Sequence, residues 1–144
     1  MKFSARSQYA LEAMLALAQS PSGKPIQVRY ISKDHGIPVR FLEQIMASLK
    51  KAGLVKSVRG ARGGYLLGGT PAAINVAQIL QAVEGPIQEE RSGQESALAS
   101  TQVVHSLWRD AQKSVRNLFE AISLEELDAR HQKLGGDGRI MYHI

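Results

Sequence analysis

The residues best placed to do chemistry in this 144-residue chain are two arginines set among small residues, in the run Arg59-Gly60-Ala61-Arg62-Gly63-Gly64. Small neighbours let a backbone approach a phosphate closely, and a guanidinium on such a tip fits a narrow minor groove. Upstream, Arg40, Glu43 and Gln44 recur at helical spacing. Glutamine pairs with adenine, glutamate accepts from cytosine N4, and arginine takes guanine or phosphate, so the triplet carries the groups that read a major groove. A solvated helix face has the same composition, and only the arginine run that follows separates the two meanings.

Arrangements for catalysis are missing. His35, His105, His131 and His143 are scattered, with no His-x-x-x-His or His-Glu-x-x-His pair. The serines lack a nucleophile elbow, Glu89-Glu90 and Glu125-Glu126 have the form of solvated charge, and the glycine run lacks the Gly-Lys-Ser/Thr ending of a P-loop. The chain contains no cysteine, which removes disulfides, thiolate catalysis and every thiolate-ligated metal site. An enzyme is not expected.

Charge is distributed unevenly. The formal net charge is +5, but residues 1–69 hold 11 Lys and Arg against 3 Asp and Glu, a net +8, and residues 70–144 hold 7 against 10, a net −3. A cationic half suits a polyanion, and an anionic half suits protein partners. No apolar run approaches the roughly 18 residues of a spanning helix, so no membrane partner is expected. The basic start, Met1 to Tyr9, leads into an Ala/Leu-rich segment that carries Glu12 and no clear cleavage site. A signal peptide is therefore not expected, and a soluble, cytoplasmic protein is.

The elements that must position these residues follow from periodicity and punctuation. Residues 4–18 are rich in Ala, Leu, Met and Glu, good helix formers, and 20–25 end that helix with two prolines and a glycine. Residues 28–35 form a short second helix stopped by Gly36, and a third begins near Pro38, with Phe41, Leu42, Ile45, Met46 and Leu49 on one stripe and Gly53 as its terminator. Two helices around a short glycine turn make a helix-turn-helix, at about 28–52. Residues 54–59 and 65–67 flank the arginine tip as a hairpin, a wing at about 54–67. Asn75 caps a fourth helix whose inward residues are Val76, Ile79, Leu80 and Val83.

The expected fold is mainly α with a small β-hairpin: a winged helix-turn-helix over 1–86, followed by a long helix for dimerisation over 97–122. Between them, 87–96 is polar and aperiodic, a loop with a composition that favours disorder. In the long helix Val104, Trp108, Ala111, Val115, Leu118 and Ile122 recur alternately four and three residues apart, close to the period of about 3.5 of a coiled-coil seam. Burial inside the chain's own domain is the competing explanation of that stripe. Ser123-Leu124-Glu125-Glu126 has the capping-box form and opens a short last helix and tail within 123–144. From the residues alone, a dimeric DNA-binding regulator leads, and a winged helix that binds protein and never reads DNA stays open.

Several stretches resemble the winged helix-turn-helix transcription regulators of the IscR, NsrR and CymR family, the Rrf2 type. They are Met1-Lys2-Phe3-Ser4 with Tyr9-Ala10-Leu11, Phe41-Leu42-Glu43-Gln44-Ile45, the run from Leu49 to Gly60, Gly63-Gly64-Tyr65, and Ala82-Val83-Glu84-Gly85-Pro86. The resemblance implies a homodimer joined through the long helix and bound to a pseudo-palindrome in double-stranded DNA. By matched position, Pro38, Arg40, Glu43 and Gln44 would meet bases, and Arg59 would enter the minor groove with Arg62, Gly63, Gly64 and Tyr65 completing the wing. Ser4, Arg6 and Tyr9 would lie near phosphates. Pro38 departs from the serine often found there and offers no hydroxyl.

Many members of that family hold an iron-sulfur cluster on cysteines before the long helix, some with a histidine just ahead of a Leu-Trp pair. His105-Ser106-Leu107-Trp108 matches the histidine, but the neighbouring Ser92, Ser96, Ser100 and Gln102 supply no thiolate, and serine hydroxyls do not replace thiolates on iron. No cofactor is expected. The resemblance leaves open a partner enzyme or a small-molecule effector as the signal.

Overall fold

The computed structural model describes residues 3–21, 23–85 and 98–135. Ser4 starts the first helix, α1 (Ala5–Ala18): its Oγ accepts the Ser7 N–H at 3.0 Å, pairing one of the donors a helix start leaves free. After the turn at Pro21 the chain makes a single bridge at Ile26, then α2 (Val28–His35), which Gly36 closes at φ 66°. The Ile37 N–H then reaches back to the Ser32 carbonyl at 3.1 Å, and the Ile37 side chain is buried. The third helix, α3, is Val39–Lys51. Pro38 stands just outside it rather than in its first turn, with ψ 130° and its carbonyl accepting the Leu42 N–H at 2.9 Å. A proline serves there because the position needs only a carbonyl.

An antiparallel pair, β1 (Val55–Val58) and β2 (Gly64–Leu67), runs in register from Val55 opposite Leu67 to Val58 opposite Gly64. A short 3-10 turn at Pro71–Ala73, unannounced by the periodicity, precedes α4 (Val76–Glu84). Asn75 and Gln78 form a reciprocal capping box at its start, each bond 2.9 Å. The long helix α5 is Ala99–Ala121, with Leu98 just ahead of it in extended conformation, and α6 is Leu124–Gly135 with Ser123 Oγ accepting the Glu126 N–H at 3.0 Å. The loop expected at 87–96 and the end of the tail, 136–144, lie outside the described residues.

One core unites these elements. Ala10, Ala13, Met14 and Leu17 of α1 meet Leu42, Ile45, Met46 and Leu49 of α3, Ile79 and Val83 of α4, and Leu124 of α6. Two alanines on the buried face of α1 let neighbouring helices approach closely, which makes α1 the hub of the fold. At about 1.5 to 3 kcal/mol for each large side chain removed from water, this cluster is the main source of stability. A smaller cluster, Val76, Leu80 and Ile122 with Phe119 beside it, seats the end of α5 on α4. Two backbone bonds reinforce that seat, Val76 N–H to the Ile122 carbonyl at 2.9 Å and Leu124 N–H to the Ile74 carbonyl at 2.7 Å.

Candidate nucleic-acid interface

Burying Leu42, Ile45, Met46 and Leu49 turns the other face of α3 outward, so Arg40, Glu43 and Gln44 are all exposed. Their spacing puts them on neighbouring turns of one face. Among the described residues no ion pair engages Arg40 or Glu43. Tyr9 fixes the base of this helix from α1, meeting the Phe41 ring edge-on with centroids 5.6 Å apart. The half-buried Tyr9 therefore acts as a wedge between α1 and α3 in this structure.

The wing is held to the helix-turn-helix by its backbone. Tyr65 N–H donates to the Ile26 carbonyl at 2.8 Å, Ile26 N–H returns to the Tyr65 carbonyl at 3.0 Å, and Gln27 Nε2 donates to the Ala61 carbonyl at the tip at 3.2 Å. Gly64 is required for this approach: its φ is +144°, and a Cβ there would stand 2.4 Å from the Ile26 oxygen. A Cβ on Gly63 would stand 2.1 Å from the Val58 oxygen. Gly63, Gly64 and Tyr65 thus build the wing, with Gly63 buried and Tyr65 half-buried, while Arg59 and Arg62 project from it exposed and unpaired among the described residues.

The N-terminal residues are engaged within the chain. Arg6 Nε donates to the Val83 carbonyl at 2.8 Å and its Nη2 to Ser48 Oγ at 3.1 Å. Ser4 Oγ, besides capping α1, donates to Glu84 Oε1, and Ser7 Oγ donates to the same oxygen at 2.7 Å. Those two hydroxyls, with the Arg6 charge nearby, hold the Glu84 carboxyl below its usual range against the opposing effect of burial.

One exposed group escaped the sequence reasoning. Arg29 lies over the Tyr30 ring at 4.9 Å on the outer face of α2, a cation-π pair in water. A basic residue next to an aromatic at the start of the first helix of the motif was the available signal.

On α5 no residue is buried, and Val103, Val104, Leu107, Trp108 and Leu118 are exposed, Leu107 by 71%. Ala111 and Val115 are half-buried. Ile122 leaves the expected row: the helix ends at Ala121, the backbone turns extended, and the side chain enters the chain's own small cluster. Beside this face a groove of about 520 Å³ opens between α1, α4 and α5, lined by Phe3, Leu80, Trp108, Val115 and Phe119 with Glu84 at its edge. His105 Nδ1 and Gln112 Oε1 on α5 are buried without a hydrogen-bond partner among the described residues.

Among the described residues no helix is long and apolar enough to cross a membrane, and no group of three His, Asp or Glu side chains converges as a metal site. With no cysteine in the sequence, the donors present do not fit a thiolate-held iron-sulfur cluster.

The family model described as "Rrf2: Iron-dependent Transcriptional regulator" matches residues 3–130. The chain is 37% identical over 141 residues to the HTH-type transcriptional regulator IscR of Photorhabdus laumondii, covering 96% of this chain and 86% of that protein. It is 38% identical over 129 residues to the IscR of Xenorhabdus nematophila, covering 88% and 79%. Among solved structures, CymR (YrzC), the global cysteine regulator of B. subtilis, superposes with a TM-score of 0.80 at 32% identity, covering 90% of this chain and 98% of that one. T. potens IscR superposes with a TM-score of 0.78 at 34% identity, covering 93% and 90%.

Proposed function

Because the chain belongs to the Rrf2 family of winged-helix transcription regulators, we propose that it regulates transcription in the cytoplasm as a homodimer bound to a pseudo-palindromic operator, without an iron-sulfur cluster. The observation that carries this is the pairing of an unburied reading face, Arg40, Glu43 and Gln44 on α3, with an arginine-tipped wing pinned beside it through Gln27 and Ile26. In this reading α3 enters the major groove, with Pro38 opposite a base it contacts without a hydroxyl, and Arg59 and Arg62 follow the minor groove.

The exposed apolar face of α5 supports the dimer, because adjoining large apolar side chains left in water mark an interaction surface. Val104, Leu107, Trp108 and Leu118 would meet the same residues of a second copy around a two-fold axis, with Ala111 and Val115 at its margin. The two polar atoms on α5 that lack a partner among the described residues fit an element whose contacts are incomplete in one chain. The domain division follows the same logic, 1–86 for DNA and 97–122 for dimerisation.

The missing thiolates argue for a signal other than cluster chemistry, a partner enzyme or a small-molecule effector. Binding to genomic fragments measured against salt tests the whole reading. Affinity should fall steeply as salt rises, and Arg59→Ala should lower the log-log slope by about 1. Binding indifferent to salt, or no fragment shifted at all, would instead favour a protein-interaction module.

A further inference from the structure

We propose that Arg6 is a positioning residue for operator recognition, a strut that ties the reading helix α3 to the end of α4. This rests on the operator-binding reading above and changes the part that Arg6 plays in it, from a phosphate contact to an internal brace.

The geometry is specific. The guanidinium leaves α1 and donates in two directions, to the Val83 carbonyl in the last turn of α4 and to Ser48 Oγ on α3. A carbonyl in that turn has its intrahelical partner missing, and the negative end of the helix dipole favours a cation there. Ser48 Oγ passes the connection on by donating to the Gln44 carbonyl at 3.2 Å, the backbone of a residue on the reading face.

Glu84 completes the brace from the other side. Its carboxylate accepts from Ser4, the cap of α1, and from Ser7 in the first turn of that helix, and it stands beside the Arg6 charge. The apolar contacts between α1, α3 and α4 are non-directional, and helices packed by them alone can slide and rotate by small amounts. A planar guanidinium with two fixed donors resists that sliding, and an ammonium, a point charge, does not. Since α4 also carries the end of α5 through Val76, Leu80 and Phe119, the strut couples the angle of the reading face to the element proposed to join two copies.

The test uses the full-length protein and an operator fragment selected from genomic DNA by the wild type. Affinity is measured over a salt series for wild type, Arg6→Lys, Arg6→Ala, Ser48→Ala and the Arg6→Ala/Ser48→Ala double variant, with thermal unfolding followed in parallel. A strut predicts that Arg6→Ala weakens binding roughly ten-fold, the loss of about two hydrogen bonds, with the salt slope unchanged. It also predicts that Arg6→Lys is nearly as weak as Arg6→Ala, and that Ser48→Ala adds nothing once Arg6 is gone.

A phosphate contact predicts the reverse: a slope lowered by about 1, rescue by lysine, and additive losses in the double variant. Any of those three results overturns the strut. If Arg6→Ala does not fold, Ser48→Ala decides alone, because unchanged operator affinity in that folded variant also overturns it. A wild type that binds no fragment removes the operator reading itself, an outcome separate from all of these.

Discussion

Two amphipathic helices of this molecule dispose of their apolar stripes in opposite ways. On α3 the stripe is consumed within the chain: Leu42, Ile45, Met46 and Leu49 are each fully buried, and what remains outside is mostly polar and charged, with Val39 and Ala47 beside it. On α5 the stripe survives folding, with Leu107 and Val104 more than half exposed and no residue of the helix buried. An apolar stripe states only that something will cover it. The helix whose own domain supplies the cover is free to present chemistry on its other face, and the helix left uncovered points to another molecule.

That contrast can be broken most directly by two leucine substitutions. Leu42→Ala should cost about 2 to 5 kcal/mol of unfolding free energy by denaturant titration, since Leu42 is fully buried in the central core. Leu107→Ala at high dilution should change the same measurement by less than about 0.5 kcal/mol. Comparable losses at both sites would mean that α5 is buried by its own chain. If the proposed dimer forms through this face, Leu107→Glu should leave the protein monomeric in sedimentation at micromolar concentration, and a dimer that persists unchanged would remove this face of α5 as the seam.

Smaller effects sharpen the reading face. Glu43→Ala should reduce discrimination at one base pair by about 1 to 3 kcal/mol in a randomised-site selection, with overall affinity less affected. Unaltered base preference would remove Glu43 from the proposed readers and leave Arg40 and Gln44 as the candidates. The smallest expected effect lies at Glu84, whose carboxyl is held below its usual range by Ser4 and Ser7. A carboxyl with a folded-state pKa below its unfolded value stabilises the fold when ionised in both states, and that stabilisation is lost as pH falls through the folded pKa. Wild type should therefore lose stability on acidification below the usual carboxylate range more steeply than Glu84→Gln, and parallel melting curves would show that the carboxylate is indifferent to folding.

Much of the architecture was legible because its determinants are local. Gly36, Gly53 and Asn75 act through a few bonds, and each ends or starts its helix as its residue type requires. The face of α3 was legible because the opposite stripe is continuous. The brief 3-10 turn at Pro71–Ala73 has too short a period to announce itself. The Asn75–Ser123 bridge joins residues whose pairing depends on how α5 returns to α4.

By itself, then, the sequence determined the main helices and the hairpin, the order of helix, turn, helix and wing, the exposed identity of Arg40, Glu43, Gln44, Arg59 and Arg62, and the lack of any thiolate. Only the tertiary structure decided that α1 is the hub, that Ile122 turns inward while Leu118 does not, and that Arg6 meets Val83 and Ser48. Periodicity and capping are properties of neighbours along the chain. The partner of a long cationic side chain is a property of what distant segments bring within 3 Å of it, and a guanidinium that faces water has the same sequence around it as one that faces a carbonyl.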